Sequence, residues 1–138
     1  MRSIVIICLF VCFGVTHAQQ LKPFPEAHIS VEQWQNYYRE VSERHAARRE
    51  EAPASLHLVR FSDPTTSTVW DFTLPGHGAH PAWVTRRAVE RNGKVVVDQI
   101  GYFAGDEVQF AQMFRWYGEQ NQQLRQEMSK GSTTAPGK

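Results

Sequence analysis

Ala82-Trp83-Val84-Thr85-Arg86-Arg87-Ala88-Val89-Glu90, then Arg91-Asn92-Gly93-Lys94, then Val95-Val96-Val97-Asp98-Gln99-Ile100-Gly101-Tyr102-Phe103 is the stretch that decides the fold. Two β-rich runs flank an Asn-Gly pair, and Asn and Gly are the residues that tolerate the positive φ both central positions of a type I′ turn require. Taking Asn92-Gly93 as the turn fixes a register. Arg91 faces Lys94, Val89 faces Val96, Arg87 faces Asp98, Thr85 faces Ile100 and Trp83 faces Tyr102. This predicts an Arg87–Asp98 cross-strand ion pair. It also gives both faces large apolar groups, with Trp83, Val89, Val96, Ile100 and Tyr102 on one and Val84, Val95, Val97 and Phe103 on the other. One face is expected to pack on helices. The other is expected to be partly covered or to serve as an interaction surface.

Working outward toward the N-terminus, Thr68 to Leu74 alternates cleanly, so Trp70, Phe72 and Leu74 form a core face opposite Val69, Asp71 and Thr73. Leu56 to Phe61 reads as a further strand, joined to it through an Asp63-Pro64 turn. Before these, Ser30 with Gln33 forms a capping box, and Ile29 and Trp34 occupy the hydrophobic-staple positions. Trp34, Tyr37, Tyr38, Val41 and His45 recur at helical spacing, Glu40 and Arg44 can pair across one turn, and Pro53 is the expected stop. The mixed charges from Glu43 to Glu51 read as the solvated end of that helix.

Toward the C-terminus, Ala104-Gly105 breaks the second hairpin strand and Asp106 caps another helix. Its apolar stripe is Phe110, Met113, Phe114, Tyr117, Leu124 and Met128, with Trp116 off the stripe and a glutamine-rich solvated end. The expected fold class is α+β, a four-stranded antiparallel sheet flanked by an N-terminal and a C-terminal helix in a two-layer sandwich.

The 138 residues divide into residues 1–18 as an export signal, 19–29 as an extended lead-in, 30–128 as one domain and 129–138 as a disordered tail. Arg2 precedes the apolar run Ser3 to Val15, and Thr16-His17-Ala18 offers small residues at the cleavage positions, so cleavage is expected before Gln19. The run is shorter than the roughly 20 apolar residues of a membrane-spanning helix, and no second run follows, so no membrane anchor is expected. Both cysteines, Cys8 and Cys12, lie in the signal, which leaves the exported chain without disulfides or a thiol nucleophile. The expected location is periplasmic or secreted. Of 15 Lys+Arg one is Arg2, so 14 remain against 14 Asp+Glu and the formal charge is zero, which argues against a nucleic-acid partner.

The candidate functional stretch is Leu74-Pro75-Gly76-His77-Gly78-Ala79-His80-Pro81. Its two histidines could share a metal ion, with His57, Asp71 or Asp63 completing the site; the alternative is that His77 and His80 order the loop through hydrogen bonds. A histidine-assisted hydrolase lacks a nucleophile: there is no Gly-x-Ser-x-Gly elbow and no helical His-Glu-x-x-His. Gly76-His77-Gly78 is not a dinucleotide fingerprint, and no cofactor is expected. Pro75 and Pro81 restrain the loop, a property that favours recognition of a partner. The sequence therefore reads as a non-catalytic exported protein. It would bind an envelope or secreted protein through Pro75, His77, His80 and Pro81, with Trp83 and Tyr102 on the adjoining sheet face. A metal-dependent or histidine-assisted enzyme acting on an envelope substrate is the alternative. A homodimer through Trp83 or Tyr102 is a third reading.

Overall fold

The computed structural model describes residues 21–131, with side chains through residue 127; residues 1–18, expected to be an export signal, and most of the expected tail lie outside them. The fold is α+β. Helix α1 (Val31–Glu43) leads into strands β1 (Arg48–Glu51), β2 (Leu58–Asp63), β3 (Thr68–Thr73), β4 (Ala82–Arg91) and β5 (Lys94–Phe103), and helix α2 (Glu107–Gly131) closes the domain. The sheet is a five-stranded antiparallel meander in chain order. Among the described residues no helix is long and apolar enough to cross a membrane.

The β4–β5 register is the one the Asn-Gly turn dictates, from Arg91↔Lys94 to Trp83↔Tyr102, with Asn92 and Gly93 at φ 54° and 72°. The predicted ion pair changes partner. Asp98 accepts a bidentate pair from Arg91 at 2.9 and 2.7 Å, while Arg87 turns to Thr68 and donates from Nε at 3.1 Å. Arg87 lies beside β3 and finds the Thr68 hydroxyl there, whereas Arg91, at the hairpin tip beyond β3, reaches diagonally to Asp98 on its own face.

Two expectations about the architecture are corrected. The sheet has five strands rather than four, because α1 stops at Glu43 rather than at Pro53, and Arg48–Glu51 pairs with Val59–Ser62. After Val41 the apolar stripe is exhausted, since His45 is exposed, so further turns of helix would bury nothing. The open edge of β2 offers backbone partners instead, and four charged side chains suit a solvent-exposed edge strand. The strand expected at Leu56 to Phe61 begins at Leu58, after a 3-10 turn at Ala54–Leu56.

The second correction concerns layers. The helices cover opposite faces of the sheet, so three layers replace the expected two. Trp34, Tyr37 and Val41 of α1 share a buried core with Val59, Phe61, Trp70, Phe72, Trp83 and Tyr102. Phe110, Met113 and Tyr117 of α2 share the other with Ala82, Val84 and Phe103. Leu124 is exposed rather than core. Both helix starts follow the sequence: the Ser30/Gln33 capping box is complete, and Asp106 accepts from the Gln109 amide at 2.8 Å. The Glu40–Arg44 pair forms at 2.6 Å. The lead-in is tied to β5, with Phe103 N–H donating to Ala27 O and Ile29 N–H to Phe103 O, each at 2.9 Å.

Trp70 is buried among these aromatics and donates from Nε1 to the Tyr37 hydroxyl at 3.1 Å, linking β3 to α1. Trp70→Ala is expected to destabilise the domain by about 3 to 5 kcal/mol, measured by denaturant unfolding; a loss below about 1 kcal/mol would show that the site is not tightly packed.

Candidate functional site

The loop from Leu74 to Pro81 is closed at its base by one side chain. Thr73, fully buried at the end of β3, donates from its hydroxyl to Ala82 O at 3.0 Å and accepts from Ala82 N–H at 2.8 Å. Its oxygen thus joins the first residue of β4 to the last of β3. The hydroxyl proton is committed to Ala82 O, so His80 Nδ1, which lies 3.0 Å from Thr73 O and 3.1 Å from Thr73 Oγ1, must carry its own proton and donate. The His80 ring also meets Trp34 edge to face at 5.2 Å, and Trp34 Nε1 donates to Ala82 O at 3.1 Å. His80 is thereby part of the loop's foundation, followed by a cis peptide to Pro81. Pro81 O accepts from the amides of Ala104 and Gly105, which joins the loop to the end of β5.

The tip is built differently. Pro75, Gly76 and Gly78 are exposed, and Gly76 sits at φ 102° against the His57 imidazole, where an added Cβ would lie 2.9 Å from Nδ1. Only glycine satisfies both the turn and that approach. His77 is half-buried, and its Nδ1 accepts from Ala79 N–H at 3.0 Å. Burial, then the neighbouring His57 and His80, push its pKa below the usual histidine range. The neutral form also suits the acceptor role of Nδ1.

His77 faces a groove of about 290 Å³ between the 3-10 turn and α2, lined also by Leu56, Leu58, Gln109, Gln112, Met113, Trp116 and Tyr117. A second groove of about 170 Å³ shares Leu56, Leu58, Trp116 and Tyr117 and extends to Arg60 and Asp71. Asp71, 1% exposed, accepts from Arg60 Nε at 2.6 Å and Nη2 at 3.1 Å, and from Arg86 Nη2 at 3.0 Å. The Arg86 guanidinium lies over the Tyr117 ring at 4.7 Å. Burial, then Asp71, raise the Tyr117 phenol well above its ordinary range, and its hydroxyl has no hydrogen-bond partner among the described residues.

These contacts decide what the sequence candidates can do. Asp71 is held by two arginines and Asp63 by Thr65, so neither is free to complete a histidine metal site. Among the described residues no group of three or more His, Cys, Asp or Glu side chains is placed to hold a metal ion. Trp83 and Tyr102 lie in the α1 core, 0% and 2% exposed, so their rings are not part of an exposed sheet face. Pro75, His77, His80 and Pro81 do come together in one loop. Leu56 and Trp116, at 45% and 48% exposed, form the groove rim that sequence reasoning missed. Trp116's position off the apolar stripe was the available signal.

Asp71→Ala is expected to destabilise by about 2 to 4 kcal/mol, since it leaves Arg60 and Arg86 uncompensated; partial exposure of Arg60 keeps the loss below that of a fully buried pair. An unfolding midpoint unchanged by this substitution would contradict the buried network. His77 gives a pH-dependent counterpart. Its folded pKa lies below the unfolded value of 6.5, so its contribution is complete above about pH 6.5 and is lost as pH falls through the folded value, because the unfolded chain binds the proton first. Wild type should therefore lose more melting temperature than His77→Ala between about pH 7.5 and pH 5; parallel profiles would remove His77 from the account. No protein-family model, curated protein or solved structure matches the chain.

Proposed function

We propose that this is an exported, non-catalytic binding protein that recognises a protein or cell-envelope component through the Pro75–Pro81 loop and the groove beside it. The observation that carries the reading is the division of labour within the loop. Thr73, His80 and Trp34 fix its base through buried contacts, while Pro75, Gly76 and Gly78 remain exposed at the tip. A tip held this way loses little conformational freedom on binding, and restrained loops convert more of their contact energy into affinity. The exposed Leu56 and Trp116 continue the surface on the far side of His77, and tryptophan at a groove rim is a frequent anchor for a partner.

Export rests on the sequence of residues 1–18 and places the encounter in the periplasm or outside the cell. The reading requires no metal and no cofactor. With Trp83 and Tyr102 inside the core, the contact area moves from the sheet face to the loop, the 3-10 turn and the exposed side of α2.

The test is affinity capture from an envelope extract with wild type and with a Pro75→Ala/His77→Ala double variant, whose fold is checked by its melting curve. A partner retained by wild type and lost by a folded variant is the expected result. Identical capture by the two proteins would sink the proposal.

A further inference from the structure

The two edges of the sheet are built unlike one another. β1 is four residues long and entirely charged, Arg48-Arg49-Glu50-Glu51, which discourages pairing with another chain. β5 is ten residues long, carries Val95-Val96-Val97, and contains no proline. Its outward-facing positions follow from the lead-in. Phe103 exchanges bonds with Ala27 and Ile29, so the odd-numbered residues of β5 point their N–H and C=O groups away from β4. Val95, Val97, Gln99 and Gly101 therefore present a row of backbone groups with no backbone partner among the described residues.

We propose that this edge pairs antiparallel with the same edge of a second copy, about a two-fold axis at Val96, making one continuous ten-stranded sheet from two five-stranded ones. Charge selects the register. Centred on Val96, the pairing sets Lys94 against Asp98 of the second copy twice, and Val95 against its Val97 twice. Lys94 is exposed and makes no ion pair among the described residues, while Asp98 is held by Arg91 from one side and remains partly exposed. An axis at Asp98 would oppose two carboxylates, and an axis at Val97 would set Lys94 against Ile100 and Asp98 against Val96. The Val96 register also ends the second copy's hairpin turn opposite Gln99 and Ile100, short of the lead-in that occupies Phe103.

The overlap is short, so the dimer belongs at the weak end of specific association, with a Kd of about 1 to 100 µM. This surface lies at the other end of β4 from the Pro75–Pro81 loop, and the inference does not depend on what that loop binds.

Sedimentation equilibrium of the purified protein over that concentration range tests it. Wild type should pass from one chain mass to two. Val97→Pro removes an outward donor that the β4–β5 ladder does not use, and should raise Kd at least tenfold. Lys94→Glu, an exposed change whose fold is checked by its melting curve, should do the same by facing Asp98 with a second carboxylate, whereas Lys94→Arg should keep the dimer. A wild-type chain that stays at one chain mass to about 0.5 mM would overturn the proposal. So would a dimer that Lys94→Glu leaves intact.

Discussion

Phe72 and Trp83 face one another across β3 and β4 with ring centroids 5.5 Å apart, and the arrangement of the whole domain depends on that pair. Tyr37 of α1 stacks on Trp83 at 4.6 Å, and Tyr102 of β5 lies against it at 4.9 Å, so a single indole joins helix, central strand and edge strand. Because side chains alternate with period two, slipping this register by one residue would turn Trp83 toward α2 and carry Val84 or Ala82 into its place. The aromatic core would lose its centre. The neighbouring position along the same strands is Thr73 with Ala82, where the side-chain latch of the loop sits, so the pairing that builds the core also sets the geometry of the candidate site.

The opposite face is held by a different kind of interaction. Asp71, flanked on its own strand by Trp70 and Phe72, points to the α2 side and is met there by Arg60 and Arg86 from the two adjacent strands. Three neighbouring strands thus contribute one charged group each, Arg60 directly opposite Asp71 and Arg86 two residues along β4 from Val84, the residue that faces Asp71, and Tyr117 covers Arg86. Such a cluster gains less net stability than an apolar patch of equal volume, because desolvation offsets the attraction. Its value lies in register, since a shifted strand would leave an arginine or the aspartate buried alone.

These features differ in how far they can be read from the sequence. The β4–β5 register was fully legible, since Asn92-Gly93 admits one turn geometry and the turn fixes every pair after it. The helix caps were legible for the same reason: Ser30, Gln33 and Asp106 act on backbone groups only a few residues away. The charges from Glu43 to Glu51 were not, because a solvated helix end and a solvated edge strand accept the same residues, and the choice lay with the distant edge of β2. The apolar groups on both faces of the hairpin announced two packing surfaces. They could not say that α1 and α2 would take one each, since an amphipathic stripe carries no address. The candidate loop was visible in its prolines and glycines, but the groove was not, because Leu56, His77 and Trp116 come from three separate elements.

The two histidines of the loop show why spacing alone misdirects. Three residues apart, they suggested a shared ion, yet the chain turns between them and gives each its own duty. His80 lies over Trp34 and donates to Thr73, facing inward to the base of the loop. His77 lines the groove toward α2, with Nδ1 satisfied by Ala79 and the ring against the Met113 and Tyr117 side of the domain. An ion held on Nε2 of His77 would move that ring's proton to Nδ1 and cost the bond from Ala79 N–H, whereas His80 already donates from Nδ1. The contacts that count against a shared ion also restrain the loop: His80 holds its base, and His77 closes the turn at Ala79.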